Sequence, residues 1–252
     1  MTQQYIDIPA PLQAALADAQ HLVVFTGAGV SAESGVSTFR DALTGLWARF
    51  DPMQLATPEA FLADPKLVWG WYEWRRQLLL KAQPNPAHQA IVKLAEQVPK
   101  LTVITQNVDD LHERAGSRNV LHLHGSIFKP RCFNCAKPYT LAAAPAMSHE
   151  QALPPPLCPD CQGMIRPGVV WFGEALPQAE MEAAFVAAEH CDVLLSIGTS
   201  GVVQPAAQIP QLALRGGAWV AHINPEPVNC QHPRELSLVG AAGHILPLLL
   251  QD

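Results

Sequence analysis

The stretch HLVVFTGAGVSAESGVSTFRDA, His21 to Ala42, decides the fold. Its apolar, β-branched run Leu22-Val23-Val24-Phe25 is too short for a membrane span and reads as a buried parallel strand. Gly27-Ala28-Gly29 follows at once, and Ser31-Ala32-Glu33-Ser34 reads as the first turn of a helix. Strand, glycine turn and helix N-terminus together make an anion site: glycines let the backbone approach a phosphate, and first-turn N–H groups point at it. Gly27, Gly29 and Ala32 fit the G-x-G-x-x-G/A dinucleotide pattern, a weak signal by itself, since a generic strand-to-helix turn also satisfies it. Gly35-Val36-Ser37-Thr38-Phe39-Arg40-Asp41 is more distinctive. It places an aromatic able to cover a ring, and a guanidinium able to pair with a phosphate, just past the loop.

Working outward, helix and strand signals alternate. Pro11 to Gln20 is an alanine-rich helix leading into the opening strand. Thr57-Pro58 and Asp64-Pro65 each set a capping residue before a proline at the first helical position. The second starts a helix from Pro65 to about Lys81, with Trp71, Trp74 and Leu78 on a stripe expected to face the core. Tyr72 and Arg75, three apart, share another face, and Arg76 is expected to face solvent. Asn85-Pro86 starts a further helix through Glu96. Leu101 to Ile104 reads as a buried strand, Val120 to Leu123 as another, Asp192 to Ile197 and Trp219 to Ile223 as two more, with a helical pattern over Ala179 to His190. The alternation predicts an α/β fold, a doubly wound Rossmann-like parallel sheet. Polar clusters follow Phe25, Ile104, Leu123, Ile197 and Ile223, all at carboxyl ends of strands, the edge where open α/β sheets bind ligands.

Four of the six cysteines fall as Cys132-x-x-Cys135 and Cys158-x-x-Cys161, with 22 residues between the pairs. Four thiolates in two such knuckles suit a tetrahedral structural zinc ion with no open position, although the gap is slightly longer than in the usual zinc ribbon. Two redox-active pairs are the competing reading, but neither pair follows a strand-to-helix start as a thioredoxin-like motif would. The domain division expected is 1–127 with 167–252 for the nucleotide-binding domain, a helical insertion around 43–83, and an inserted zinc-ribbon module over 128–166.

The totals set limits. At 252 residues the chain can bury a full core and carry a small module, and 49% hydrophobic content marks it as globular. A net charge of −6 without a basic run argues against nucleic acid as a partner. The first residues, MTQQYIDIPAP, lack the features of a signal peptide, and no apolar run approaches the roughly 20 residues of a membrane helix. A cytoplasmic monomer is the expectation, with no membrane partner.

Taken in order, these motifs resemble the sirtuin family of NAD-dependent protein-lysine deacylases. Gly27-Ala28-Gly29-Val30-Ser31, Gly35 to Arg40, Thr105-Gln106-Asn107-Val108-Asp109, His124-Gly125, the four cysteines, Gly198-Thr199-Ser200 and Asn224-Pro225-Glu226 carry the resemblance, which runs from about residue 22 to Ala242. It implies that Gly27, Ala28, Gly29, Ser31 and Arg40 hold the pyrophosphate of NAD while Phe39 shields the nicotinamide side. Gln106, Asn107 and Asp109 would meet the nicotinamide ribose and carboxamide. Gly198, Thr199 and Ser200 would serve the phosphates and adenosine, Asn224 and Glu226 the adenosine ribose, with Ala242 near the adenine. This later ribose grip accounts for a departure from the dehydrogenase fingerprint, where an acid about 20 residues after the glycines is expected; here only Asp51 lies at that distance, in a loop-like context.

The resemblance also implies a reaction. The acyl-lysine amide oxygen attacks the ribose carbon as nicotinamide leaves, and His124, with Asn107 in the catalytic set, then acts as general base on a ribose hydroxyl. An ordinary imidazole pKa near 6.5 suits that task. Taken alone, a histidine at a strand end is a structural residue, the reading kept for His122, while His88 and His112 are expected to pack between helices. Tyr72-x-x-Arg75 with Ala56 upstream looks like the branch of the family that accepts acidic acyl chains: guanidinium and phenol on one helix face can both bind a carboxylate tip. Val169 and Phe172 resemble the extended segment that pairs with a substrate peptide and lines the acyl tunnel. Acylated-lysine proteins or peptides are then the partners, with acetyl, succinyl, malonyl and glutaryl groups unranked. Ser37 stands where the family usually has proline, which removes a φ restraint. Protein mono-ADP-ribosyl transfer, and a non-catalytic NAD-sensing module, are the alternatives.

Overall fold

The computed structural model describes residues 7–36, 51, 55–141 and 152–250. In chain order the elements are α1 (Ala10–Asp18), β1 (His21–Thr26), a 3₁₀ segment (Ala28–Ser34), α2 (Pro58–Ala63), α3 (Pro65–Lys81), α4 (Pro86–Gln97), β2 (Lys100–Thr105), α5 (Leu111–Ala115) and β3 (Val120–His122). Two-residue strands β4 (Arg131–Cys132) and β5 (Ile165–Arg166) follow, then α6 (Gln178–Glu189), β6 (Val193–Ile197), α7 (Ile209–Arg215), β7 (Trp219–Asn224), β8 (Glu235–Val239) and α8 (Ala242–Ile245).

Local chemistry explains the helix starts. The Thr57 hydroxyl accepts from the Ala60 N–H at 3.1 Å, the Asp64 carboxylate from the Leu67 N–H at 3.0 Å, and each is followed by proline at the first turn. Asn85 caps α4, its side chain accepting from Ala87 N at 2.9 Å while the His88 ring reaches back to the Asn85 N–H.

Six parallel strands run in the order β3-β2-β1-β6-β7-β8. Strand order therefore reverses between β1 and β6, the place where an open α/β sheet opens a crevice beyond its carboxyl ends. β1 is buried along all six residues, as a strand covered on both faces must be. One apolar cluster gathers Leu22, Val24, Ile91 and Ile245 on one face, and another gathers Val23, Phe25, Leu194 and Ile209 on the other. A third joins Phe61, Trp71 and Tyr72 from the helices to Cys132, Cys158, Ile165 and Trp171, so the cysteine segment shares its core with α2 and α3.

Several expectations need correction. The segment after the glycine turn is a 3₁₀ helix of seven residues rather than the start of an α-helix, closed by Gly35 at φ 74°. The strand expected through Leu123 ends at His122. Of the stripe expected in the core of α3, Trp71 is fully buried, Trp74 half-buried and Leu78 exposed. Arg76, expected in solvent, is buried. Its Nε and Nη2 donate to the Glu73 carboxylate at 3.0 and 2.8 Å, one turn earlier, and that neutralisation is what lets the guanidinium leave water.

Candidate active site

The turns after β1 and β6 meet at the switch point. Gly29 N donates to the Gly198 carbonyl at 3.1 Å, and Gly27 N to that of Ile197 at 2.9 Å. A Cβ on Gly29 would stand 2.6 Å from Gly198 Cα, and Gly198 itself sits at φ 60°. The glycines thus serve contact between two loop backbones as well as access to a phosphate, a reason that spacing alone does not show. Ala28 and Gly29 stay half-buried, with Val30 and Ser31 buried beneath them.

A chain of polar side chains lies beside this turn. Asn107 Nδ2 donates to the Gly27 carbonyl at 3.2 Å and to Ser31 Oγ at 3.1 Å, and Ser31 Oγ donates to Asp109 Oδ2 at 3.1 Å. Burial raises the Asp109 carboxyl, against the bonds from Leu111 N and Ser31 that lower it. Gln106 N is tied to the Thr26 carbonyl at 3.0 Å, continuing the β1–β2 ladder one step past the strands.

His124, two residues after β3, makes a 2.9 Å hydrogen bond from Nδ1 to the Gln106 carbonyl oxygen. A carbonyl only accepts, so Nδ1 carries the proton and Nε2 keeps its lone pair. Burial lowers the imidazole from its usual value and outweighs the opposing Gln106 bond. His122 differs: burial pulls it down, but Glu113 at 2.6 Å raises it overall, as befits a structural ion pair. His88 and His112 are buried edge to face with centroids 4.9 Å apart, the helix-packing role expected of them.

The β6 and β7 ends are looser. Ser196 Oγ and Thr199 Oγ1 lie 3.1 Å apart, Asn224 Nδ2 donates to the Thr199 carbonyl at 3.4 Å, and Ser200 and Glu226 are exposed. Ala242 is buried at the start of α8, whose Gly243 N–H donates to Glu33 at 2.7 Å. Phe39, Arg40 and Ser37 lie outside the described residues.

Ala56, Tyr72 and Val169 come together in the third core cluster, each almost wholly buried, and Phe172 N donates to the Ala56 carbonyl at 2.9 Å while its ring is exposed. Segment 168–172 runs antiparallel to the chain after β3: Gly125 bridges to Val169, and Val170 N donates to the His124 carbonyl at 2.9 Å. Arg75 is half-buried with its guanidinium carbon 5.2 Å from the Trp71 ring centre. Desolvation lowers its pKa, while Tyr72 and Asp109 oppose the shift. Three residues that spacing did not single out hold this wall: Arg166, Trp171 and Glu174. The Arg166 guanidinium stacks 3.5 Å from the Trp171 ring centre and pairs with both oxygens of Glu174.

The sulfurs of Cys132, Cys135, Cys158 and Cys161 all lie within 4.8 Å of one another, with Cys132 to Cys161 at 3.4 Å and Cys135 to Cys158 at 3.8 Å. A tetrahedron with Zn–S bonds of about 2.3 Å sets its sulfurs about 3.8 Å apart, so four thiolates here fit a structural zinc ion with every position filled.

A switch-point crevice built of glycine turns, joined to a four-cysteine module, defines a nucleotide-binding α/β protein with a metal-ribbon insert. The model of the Sir2 family matches residues 27–205. An "NAD-dependent protein deacylase 1" of Pseudomonas aeruginosa is 63% identical over 238 residues, spanning 94% of this chain and 95% of the relative. An "NAD-dependent protein deacylase" of Methylococcus capsulatus is 57% identical, spanning 95% of each. Among solved structures, a Sir2 homologue in complex with NAD superposes with a TM-score of 0.85 at 43% identity, over 98% of this chain and 94% of the other. The chain belongs to the Sir2 family. The crevice fits NAD by the chemistry of its donors: backbone at the glycine turns, and amide, hydroxyl and carboxylate groups beside them.

Proposed function

We propose that the protein is an NAD-dependent protein-lysine deacylase whose general base is His124. The orientation of the His124 ring carries this reading: the Gln106 carbonyl fixes Nδ1 as the donor, so Nε2 is the base. NAD bound here would supply an electrophilic ribose carbon: nicotinamide would leave as the acyl-amide oxygen bonds to that carbon, and one water would then be consumed in giving free lysine and O-acyl-ADP-ribose. His124 Nε2 takes the proton of a ribose hydroxyl, and its lowered pKa keeps it unprotonated and ready at neutral pH. Asn107, held by Gly27 and Ser31, orients the nicotinamide ribose, with Gln106 and Asp109 beside it. Gly27, Ala28, Gly29, Ser31 and Arg40 hold the pyrophosphate, Phe39 covers the nicotinamide, and Gly198, Thr199, Ser200, Asn224, Glu226 and Ala242 take the adenosine half.

The substrate is an acylated lysine in a protein or peptide, entering along Val169 and Phe172. Tyr72 and Arg75, with Ala56 leaving room, select succinyl, malonyl and related acidic chains alongside acetyl. Residues 128–166 act as a zinc module supporting this wall, and the enzyme works in the cytoplasm as a monomer. Incubating NAD with a panel of acyl-lysine peptides tests the reading: mass spectrometry should find free lysine together with O-acyl-ADP-ribose. ADP-ribosylated peptide in its place would overturn it in favour of mono-ADP-ribosyl transfer.

A further inference from the structure

The phenol of Tyr72 lies in an unusual hydrogen-bonding position. Its oxygen is 3.0 Å from Trp171 Nε1. An indole nitrogen can only donate, so Tyr72 accepts in this bond, and its own proton is uncommitted. Among the described residues no acceptor takes that proton, although the side chain is 95% enclosed. A buried hydroxyl donor without an acceptor is costly, which marks the spot as one that a ligand acceptor completes. Burial also raises the phenol pKa, so the group remains a donor throughout the working range.

Trp171 is not placed there by chance packing. Its backbone N–H donates to Glu174 at 2.8 Å, and the same carboxylate holds Arg166, whose guanidinium carbon lies 3.5 Å from the indole ring centre. Arg166 also donates to the Val169 carbonyl at 3.0 Å, which ties the indole to the segment proposed to line the acyl tunnel. Phe61 also packs against the indole, with centroids 5.4 Å apart and the rings tilted by 43°. Held by these contacts, the indole fixes which lone pair of Tyr72 is occupied and therefore where the phenol proton points.

We propose that Trp171 is a positioning residue for acyl selectivity, committing Tyr72 to donate so that the pocket favours acyl chains carrying a hydrogen-bond acceptor at the tip, whether charged or neutral. The inference deepens the acyl-pocket reading of Tyr72 and rests on it. It separates two roles: Arg75 responds to the charge of the tip, and the Tyr72–Trp171 pair responds to its acceptor oxygen.

Three lysine acyl groups of matched length distinguish these roles on one peptide: pentanoyl with no acceptor, 4-oxopentanoyl with a neutral one, and succinyl with a carboxylate. The parent enzyme should show higher kcat/KM for 4-oxopentanoyl than for pentanoyl. Trp171→Phe should lower that preference about tenfold, the scale of one hydrogen bond to a fixed donor, while pentanoyl turnover changes little. In a Tyr72→Phe background the same substitution should leave the preference within about twofold, since the two residues act as one unit. Should Trp171→Phe fold poorly, benzothienylalanine at 171 keeps the indole shape without the N–H and should give the same loss. An unchanged preference in either variant, or an equal loss in the Tyr72→Phe background, overturns the proposal. A parent that favours 4-oxopentanoyl but not succinyl would remove the acidic-chain reading and leave this one standing; equal rates on all three would remove both.

Discussion

The imidazole of His124 is held through Nδ1 by the carbonyl oxygen of Gln106 at 2.9 Å, a bond between the ends of two neighbouring strands. The strand that sets the histidine and the strand that sets Gln106 are thus locked in one register. The proton position on the ring follows from backbone geometry alone.

A pH profile follows from that bond. Burial lowers His124 below the ordinary histidine value, and the base works only when unprotonated. Deacylation should therefore be flat through neutral pH and fall only as pH drops through a value below about 6.5. His124→Ala should abolish turnover while leaving NAD binding nearly unchanged by calorimetry. An acid limb above pH 7, or near-normal activity of the variant, would contradict the assignment.

Arg75 gives a second outcome. Removing its charge with Arg75→Met should cut kcat/KM for a succinyl-lysine peptide by about ten- to a hundredfold, the range for a charge-assisted hydrogen bond in a partly buried site. The acetyl-lysine peptide should lose no more than a few-fold. Equal losses on the two peptides would show that Arg75 supports the fold rather than selects the acyl chain.

Much of this architecture was legible in the chain, and the gaps have physical causes. The start of the helix at Pro65 could be read to the residue, because Asp64-Pro65 is a cap and a first-turn proline together. The parallel strands could be read from short apolar runs bounded by polar clusters. β8 could not: Glu235 and Ser237 interrupt its apolar pattern, and the burial of Glu235 depends on a 3.0 Å contact with His222 on the neighbouring strand. Arg76 misleads for the same reason, since only its pairing with Glu73 lets it leave solvent. At the site, Gly27, Ser31, Asn107 and His124 stand out by motif, whereas the clamp of Arg166, Trp171 and Glu174 joins residues whose meaning comes from stacking geometry. The Ser37 loop residue, with Phe39 and Arg40, lies outside the described residues.

Zinc should prove structural. Four sulfurs within 4.8 Å fill a tetrahedron and leave no position for a catalytic water. Elemental analysis should find one zinc per chain, and a strong chelator should abolish activity together with loss of structure around Trp171, because Cys132 and Cys158 share a core cluster with it. Tryptophan fluorescence reports the structural loss, and turnover of an acyl-lysine peptide reports the activity. Full folding and full activity in zinc-free protein would refute the assignment.

Gly198 should be intolerant of any side chain. At φ 60° a non-glycine residue costs about 1–2 kcal/mol, and a Cβ there would lie 2.5 Å from Gly29 Cα, so the turns of β1 and β6 would have to part. Gly198→Ala should lower Tm by several degrees and raise the KM for NAD more than the KM for the acyl peptide. Gly201, also at positive φ but with nothing within 4 Å of a built Cβ, serves as the control, and its alanine variant should lose far less NAD affinity.

Acid should unfold the protein through His88 and His112 before the carboxylates protonate. Burial lowers the first to about 4 and the second to about 3, with His88 itself adding to the depression of His112. Thr26 donates its hydroxyl proton to Thr105, so His112 Nε2 donates to Thr26. His112 Nδ1 meets no partner among the described residues, so nothing receives a second proton there, and His88 Nδ1 already accepts from the Asn85 N–H at 3.3 Å, a bond that protonation would break. In the unfolded chain both titrate near 6.5, and the unfolded state then binds more protons than the native state at any pH between that value and about 4. Stability is therefore intact above pH 6.5 and falls as pH drops below it, by up to about 1.4 kcal/mol per pH unit for each histidine. Tm measured from pH 7.5 down to 4.5 should decline along this curve, and His112→Gln should flatten it. A Tm constant down to pH 4.5 would show that these rings accept protons in the native state.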